Sequence, residues 1–180
     1  MNLQNTVRYV LFIILVLSLS CKNKPKDMVE FSKEEIIRET DSILNTWHVA
    51  AAKADFEGYF NVMTSDAIFI GTDATENWDI IKFKEFSKPY FDKGQAWDFT
   101  PLERHIFVSE DGETVWFDEL LDTWMGLCRG SGVLKNENGH RKIAHYVLSV
   151  TVPNDNVTSI VELKKDTDSI LTKKLKLRTN

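Results

Sequence analysis

Cysteine is scarce: Cys21 and Cys128 are the only two in a chain of 180 residues. That is too few for a disulfide framework, so stability has to come from a packed core. Cys128 lies among apolar neighbours with no acid or base close in sequence, which suits a buried structural thiol better than a nucleophile. No basic block is interleaved with aromatic residues and the formal charge is −5, so nucleic acid is not an expected partner. The most basic stretch, Lys173 to Arg178, stands near the end of the chain and reads as a solvated helix end. The four histidines, His48, His105, His140 and His145, show no H-x-H or HExxH spacing, and there is no C-x-x-C pair. Neither a metal nor a cofactor is expected. Internal repeats and low-complexity tracts are absent too. No apolar run reaches spanning length: Tyr9 to Leu19 is too short for a comfortable membrane helix. What is present is 43% hydrophobic and 11% aromatic content, enough to bury one sizeable core and so to make one domain.

The first twenty residues belong to targeting. Arg8 supplies a weakly positive start and Tyr9 to Leu19 an apolar stretch, followed by Ser20-Cys21. A small residue directly before a cysteine at this point resembles the lipobox of bacterial lipoproteins, in which the cysteine is lipidated and becomes the new N-terminus. Ser18 departs from the pattern, since an aliphatic residue is usual there. The other reading is an ordinary signal peptide cut nearby, or an uncleaved anchor. Either way the chain is expected in the bacterial cell envelope, facing the periplasm or the exterior, and with a lipid on Cys21 it would touch the membrane through that anchor only. Residues 21–31 then form a lipidated cysteine and a polar tether.

From Ser32 the pattern is helical. Ser32 and Glu35 form a capping box, and Ile36, Thr40, Ile43, Trp47, Ala51 and Ala54 recur at spacings of three and four. Asp55 can stop that helix or cap a short second one with Phe56, Tyr59, Phe60 and Met63 on its apolar side. Ala67 to Ile70 reads as a strand. The turn GTDATENW leads to a helix over about 77–92, with Ile80, Phe83, Phe86 and Tyr90 on its buried side and Pro89 ending or kinking it. After Gly94 the period changes to two, and 96–109, 113–124, 127–135 and 140–152 are successive strands of an antiparallel meander. Helices before strands imply an α+β domain over 32–155, with helices covering one face of a curved sheet. Residues 156–180 read as a C-terminal helical extension.

Gly130-Ser131-Gly132 raises the question of a phosphate loop or an exposed nucleophile. A phosphate loop needs a following helix N-terminus, and a nucleophile elbow needs G-x-S-x-G at a strand-to-helix turn. Here the spacing is G-S-G inside a strand, which marks a bend, a bulge or the close approach of another group.

Five stretches in chain order, TWHVAAAKADFEGY, DAIFIGTDATENW, VWFDELLD, RGSGVL and KIAHYVLSVTVPND, carry a family resemblance. Over about residues 33–155 the chain resembles the SnoaL-like branch of the nuclear-transport-factor-2-like superfamily. The resemblance implies a cone-shaped α+β fold: a long N-terminal helix and short helices packed on a curved, mainly antiparallel sheet that encloses a pocket, commonly as a homodimer through the sheet. One departure is Arg141, near the start of the last strand, where the family usually has tryptophan. The superfamily holds isomerases, cyclases, dehydratases and binding modules, so function has to be argued from residues.

Alternation along Val115 to Trp124 puts Trp116, Asp118, Leu120, Asp122 and Trp124 on one face and Val115, Phe117, Glu119 and Leu121 on the other. The first face suits a pocket wall, with aromatic area to hold a ligand and carboxylates to orient it. Equally, it suits the solvent side, with Phe117 and Leu121 in the core. On the pocket reading Trp47 closes the site from the long helix, Arg129 lies near Asp122, and either His145 or Tyr146 comes beside Arg129 to Ser131, depending on register. The ligand-binding set is then Trp47, Trp116, Asp118, Arg129 and His145, with Asp118 and His145 as the catalytic candidates. Two functions follow: binding of a small, partly apolar molecule, or cofactor-free isomerase, dehydratase or hydrolase chemistry by an Asp/His pair.

Overall fold

The computed structural model describes residues 32–178. The expected signal peptide, Cys21 and the tether lie outside the described residues.

The capping box forms as the sequence predicts: Ser32 Oγ accepts from the Glu35 amide and the Glu35 carboxylate accepts from the Ser32 amide. It starts α1 (Lys33–Ala52), whose buried stripe is Ile36, Thr40, Leu44, Trp47, His48 and Ala51. Asp55 caps the short α2 (Phe56–Asn61). Next come β1 (Met63–Ile70), a turn, and a three-residue β2 (Asn77–Asp79) that pairs antiparallel with β1. Asp79 caps α3 (Ile80–Asp92), which therefore begins later than the sequence pattern suggests. Its buried residues are Phe83, Ser87 and Phe91, while Phe86 and Tyr90 are exposed, a correction to the expected stripe. Pro89 does not end the helix, which runs three residues further. What it removes is the N–H that would bond the Glu85 carbonyl one turn back, inside the helix.

The meander follows as β3 (Thr100–Val108), β4 (Thr114–Thr123), β5 (Gly126–Glu137) and β6 (His140–Val150). The strands join one curved six-stranded sheet in the order β2-β1-β6-β5-β4-β3, antiparallel except where β1 runs parallel to β6. α1, α2 and α3 cover one face, and the core lies between: Leu44, Trp47, Tyr59, Phe69, Phe83, Phe117, Leu121 and Tyr146 are all buried. α4 (Val157–Lys176) follows a 3-10 turn at Asn154–Asn156 and buries none of its residues. Arg141, where the resemblance implies a tryptophan, makes polar contacts. It donates to Glu39 of α1 (3.0 Å) and to the Gly112 carbonyl (2.8 Å), which ties the start of β6 to the helix and to the β3–β4 turn.

Gly130 and Gly132 lie inside β5 and face the core. Neither has a positive φ; both are needed for close approach. A Cβ on Gly132 would lie 2.5 Å from the His145 carbonyl and 2.7 Å from the Phe117 ring, and one on Gly130 would overlap the Tyr146 hydroxyl. Gly132→Val is therefore expected to cost about 3 kcal/mol through overpacking. Ser131→Ala, on the opposite face, should stay within about 0.5 kcal/mol. Urea denaturation of the two variants checks this, and a similar loss for both would remove the packing explanation.

Candidate functional site

Alternation in β4 places Val115, Phe117, Glu119 and Leu121 under the helices, all buried. Glu119 is a carboxylate in the middle of an apolar series, and four donors converge on it. His48 Nε2 lies 2.9 Å and the Tyr146 hydroxyl 3.0 Å from Oε1, while Arg104 places Nε at 3.0 Å and a terminal nitrogen at 2.8 Å from Oε2. Register explains the last pair, because Arg104 of β3 stands directly opposite Glu119. The other terminal nitrogen of Arg104 reaches back to α1, to Asp41 (2.6 Å) and Asn45 (2.8 Å). A carboxylate can only accept, so His48 carries its proton on Nε2 in this arrangement. Burial opposes ionisation of Glu119, but the hydrogen bond and charge of His48 together with the Arg104 guanidinium outweigh it, and the carboxyl is held below its ordinary range. Burial pushes the Tyr146 hydroxyl well above the usual tyrosine range, and the Glu119 charge adds to it, so this phenol stays a neutral donor.

Beside the cluster is a cavity of about 10 Å³ walled by Trp47, His48, Tyr59, Phe69, Trp97, Phe99 and Tyr146. The Trp47 indole nitrogen and the Tyr59 hydroxyl are buried and make no hydrogen bond of acceptable geometry. Phe69, Trp97 and Phe99 also form part of a larger pocket of about 260 Å³ that opens to the surface. Its remaining walls come from α3 (Phe83, Phe86, Tyr90), from Trp78 of β2, and from the β4–β5 turn (Trp124, Met125). The rings stack on one another: Phe69 on Phe83 at 3.9 Å between centroids, and Trp78 on Phe86 at 4.4 Å. The α3 residues that helix periodicity assigned to the core, Phe86 and Tyr90, are thus rim residues of a pocket.

The residues expected to build a site together are divided between the two faces. Trp47 is on the inner face and lines the small cavity. Trp116 is 46% exposed on the outer face, stacked on Phe107, and Arg129 is exposed there as well. Asp118 stands opposite His105 and bonds its Nδ1 at 3.0 Å, so its imidazole partner is His105 and not His145. That contact, with the Asp118 charge, raises the pKa of the exposed His105. The β5–β6 register decides the open choice. Tyr146 stands opposite Gly132 and faces inward, whereas His145 stands opposite Val133 and Ile68 on the outer side. Asp122 stands opposite Leu127, and Arg129 opposite Leu120, so those two are offset rather than paired. Sequence reasoning gave no site role to Glu119, His48 or Arg104, and left Tyr146 as the alternative to His145. One signal could have found the first: an acid at the centre of Val115-x-Phe117-x-Glu119-x-Leu121 has to be paired if that face is buried. Among the described residues no group of three His, Cys, Asp or Glu side chains is placed to hold a metal ion.

Comparison with solved structures finds the same fold at low identity. An NTF2-like protein of unknown function from Pseudomonas putida KT2440 has a TM-score of 0.55 at 11% identity, over 67% of this chain and 91% of that one. An NTF2-like protein from Cytophaga hutchinsonii has a TM-score of 0.54 at 17% identity, over 67% and 100%. A candidate aromatic ring hydroxylase from Novosphingobium aromaticivorans has a TM-score of 0.56 at 14% identity, over 69% and 94%. No curated protein matches the chain. The sequence profile of the SnoaL-like domain, however, matches residues 41–153, from within α1 through β6, and so includes all four members of the buried cluster. The chain therefore belongs to the SnoaL-like domain family, built on the NTF2-like cone fold.

Proposed function

We propose that this chain is an exported lipoprotein whose SnoaL-like domain binds a small, partly apolar molecule in the aromatic pocket between α3, β2 and the β4–β5 turn. The observation that carries the reading is the pocket itself: about 260 Å³, open on one side, and walled largely by aromatic rings. Such a lining holds a ligand through apolar area, and few polar groups are needed to orient it. The buried His48–Glu119–Arg104–Tyr146 cluster lies outside that lining, and His48 and Tyr146 border the small cavity instead. Both Glu119 oxygens are occupied, so the carboxylate serves to hold His48 and Tyr146 in place. Native mass spectrometry of the purified full chain is expected to detect a retained small molecule, and Phe86→Arg, at the exposed rim, is expected to abolish retention while the chain keeps its folded circular-dichroism spectrum. Equal occupancy in Phe86→Arg would place the molecule elsewhere.

Cofactor-free acid–base chemistry is the second reading, and one observation favours it. His48 borders the small cavity with a carboxylate fixed on Nε2, which leaves Nδ1 as the nitrogen not engaged by Glu119. On this reading His48, rather than Asp118 or His145, moves the proton.

The export part rests on Ser20-Cys21 after the apolar stretch, and the homodimer on the exposed Phe107–Trp116 stack of the outer sheet face. Cys21→Ser is expected to lose acyl labelling and to leave the membrane fraction. Labelling equal to the parent would end the lipoprotein reading.

A further inference from the structure

The chemistry of the pocket wall discriminates by ligand charge. Among the described residues no lysine, arginine or histidine lines it, and its one carboxylate is Glu76. Glu76 is held in place by the 71–76 turn: its Oε2 accepts from the Asp73 amide at 3.1 Å, and its own carbonyl accepts from the Gly71 amide at 3.0 Å. A carboxylate has acceptor capacity beyond that one contact. The same lining holds the rings of Trp78, Phe86, Tyr90 and Trp124, and aromatic faces carry negative quadrupolar charge. An anionic ligand would find no counter-charge here and would meet both the carboxylate and the ring faces. A neutral ligand gains the apolar contact alone. A cation gains the ring faces and the carboxylate together.

Resting on the pocket reading above, we infer that the ligand is cationic: an amine or quaternary ammonium on an apolar body, with its charged end between Glu76 and the aromatic rim and its body against Phe69, Phe83 and Phe99. Among the described residues Glu76 is the one carboxylate of the lining, which is otherwise largely rings, with Leu148 and Met125.

Calorimetric titration of the full chain with three matched probes tests the charge preference. These are benzyltrimethylammonium, its carbon isostere neopentylbenzene, and phenylacetate. The cation is expected to bind about tenfold more tightly than the isostere, and phenylacetate not measurably. Glu76→Gln, which keeps an acceptor for the Asp73 amide, should reduce that preference severalfold and leave neopentylbenzene unchanged. Should this variant fail to fold, the comparison of the three probes on the parent still decides. Equal binding of the isostere, or tighter binding of phenylacetate, overturns the cation inference and leaves an apolar pocket standing. Failure of all three probes at millimolar concentration removes the pocket reading with it.

Discussion

Glu119→Gln should lower the stability of the domain by about 3 kcal/mol at neutral pH, the largest loss expected from any single conservative change in this chain. Four N–H and O–H donors point at the carboxylate, from His48, Tyr146 and Arg104. An amide offers one acceptor oxygen and turns its NH2 towards donors on the other side. It also leaves Arg104, whose side chain is 6% exposed, with only the half-exposed Asp41 as its charge partner. The pH dependence follows from the direction of the shift. Because the folded-state pKa of Glu119 lies below the ordinary value of 4.5, the unfolded chain takes up the proton first as pH falls. Its contribution is therefore complete above about 4.5 and is lost as pH falls through the lowered folded value. Urea midpoints of parent and variant at neutral and acidic pH check both parts. The parent should converge on the variant below pH 4.5, and a variant within about 0.5 kcal/mol of the parent at neutral pH would show that the cluster does not hold the core together.

Trp47→Ala should cost about 3–5 kcal/mol, and Trp47→Phe much less, about 1–2 kcal/mol. Trp47 is fully buried in α1 and packs on Tyr59 (4.9 Å between centroids) and edge-on against Tyr146 (4.8 Å), so alanine removes the joint between helix and sheet. Phenylalanine keeps a ring at that joint. What it removes besides volume is an indole N–H that has no hydrogen-bond partner among the described residues. Losing an unpaired buried donor relieves a desolvation cost, and that offsets part of the lost contact. Equilibrium denaturation of both variants tests the contrast. Equal losses would mean that the indole N–H is bonded in solution and that the small cavity takes part in holding it.

Much of this architecture was legible before the fold was known, because it depends on neighbours in sequence. The Ser32/Glu35 box, the Asp55 cap and the period-two strands after Gly94 are local interactions, set by side chains three or four positions apart or by simple alternation. The spacing of Gly130 and Gly132 likewise excluded a phosphate loop and a nucleophile elbow without coordinates. The parallel β1–β6 pairing and the brief β2 were not legible, since both join segments through contacts far apart in the chain.

The site depended on one choice that alternation leaves open. A period of two separates Trp116 and Asp118 from Phe117 and Glu119, but it is symmetric, and both series contain an aromatic and an acid. Only the packing of α1 decides which series is buried, because Trp47, Leu44 and His48 meet the sheet on the side of Phe117 and Glu119. That placement turns Glu119 into a buried acceptor and leaves Asp118 at the surface beside His105. The same holds at the last strand, where a register shift after Val133 sends Tyr146 inward and His145 outward. In a strand, displacement by one residue exchanges the two faces, and the energy that sets it is spread over the whole sheet and the helix above it. The sequence by itself determined the elements, their order and the domain family; the tertiary structure decided which face carries the chemistry, since burial is a property of the assembled layers and not of any one strand.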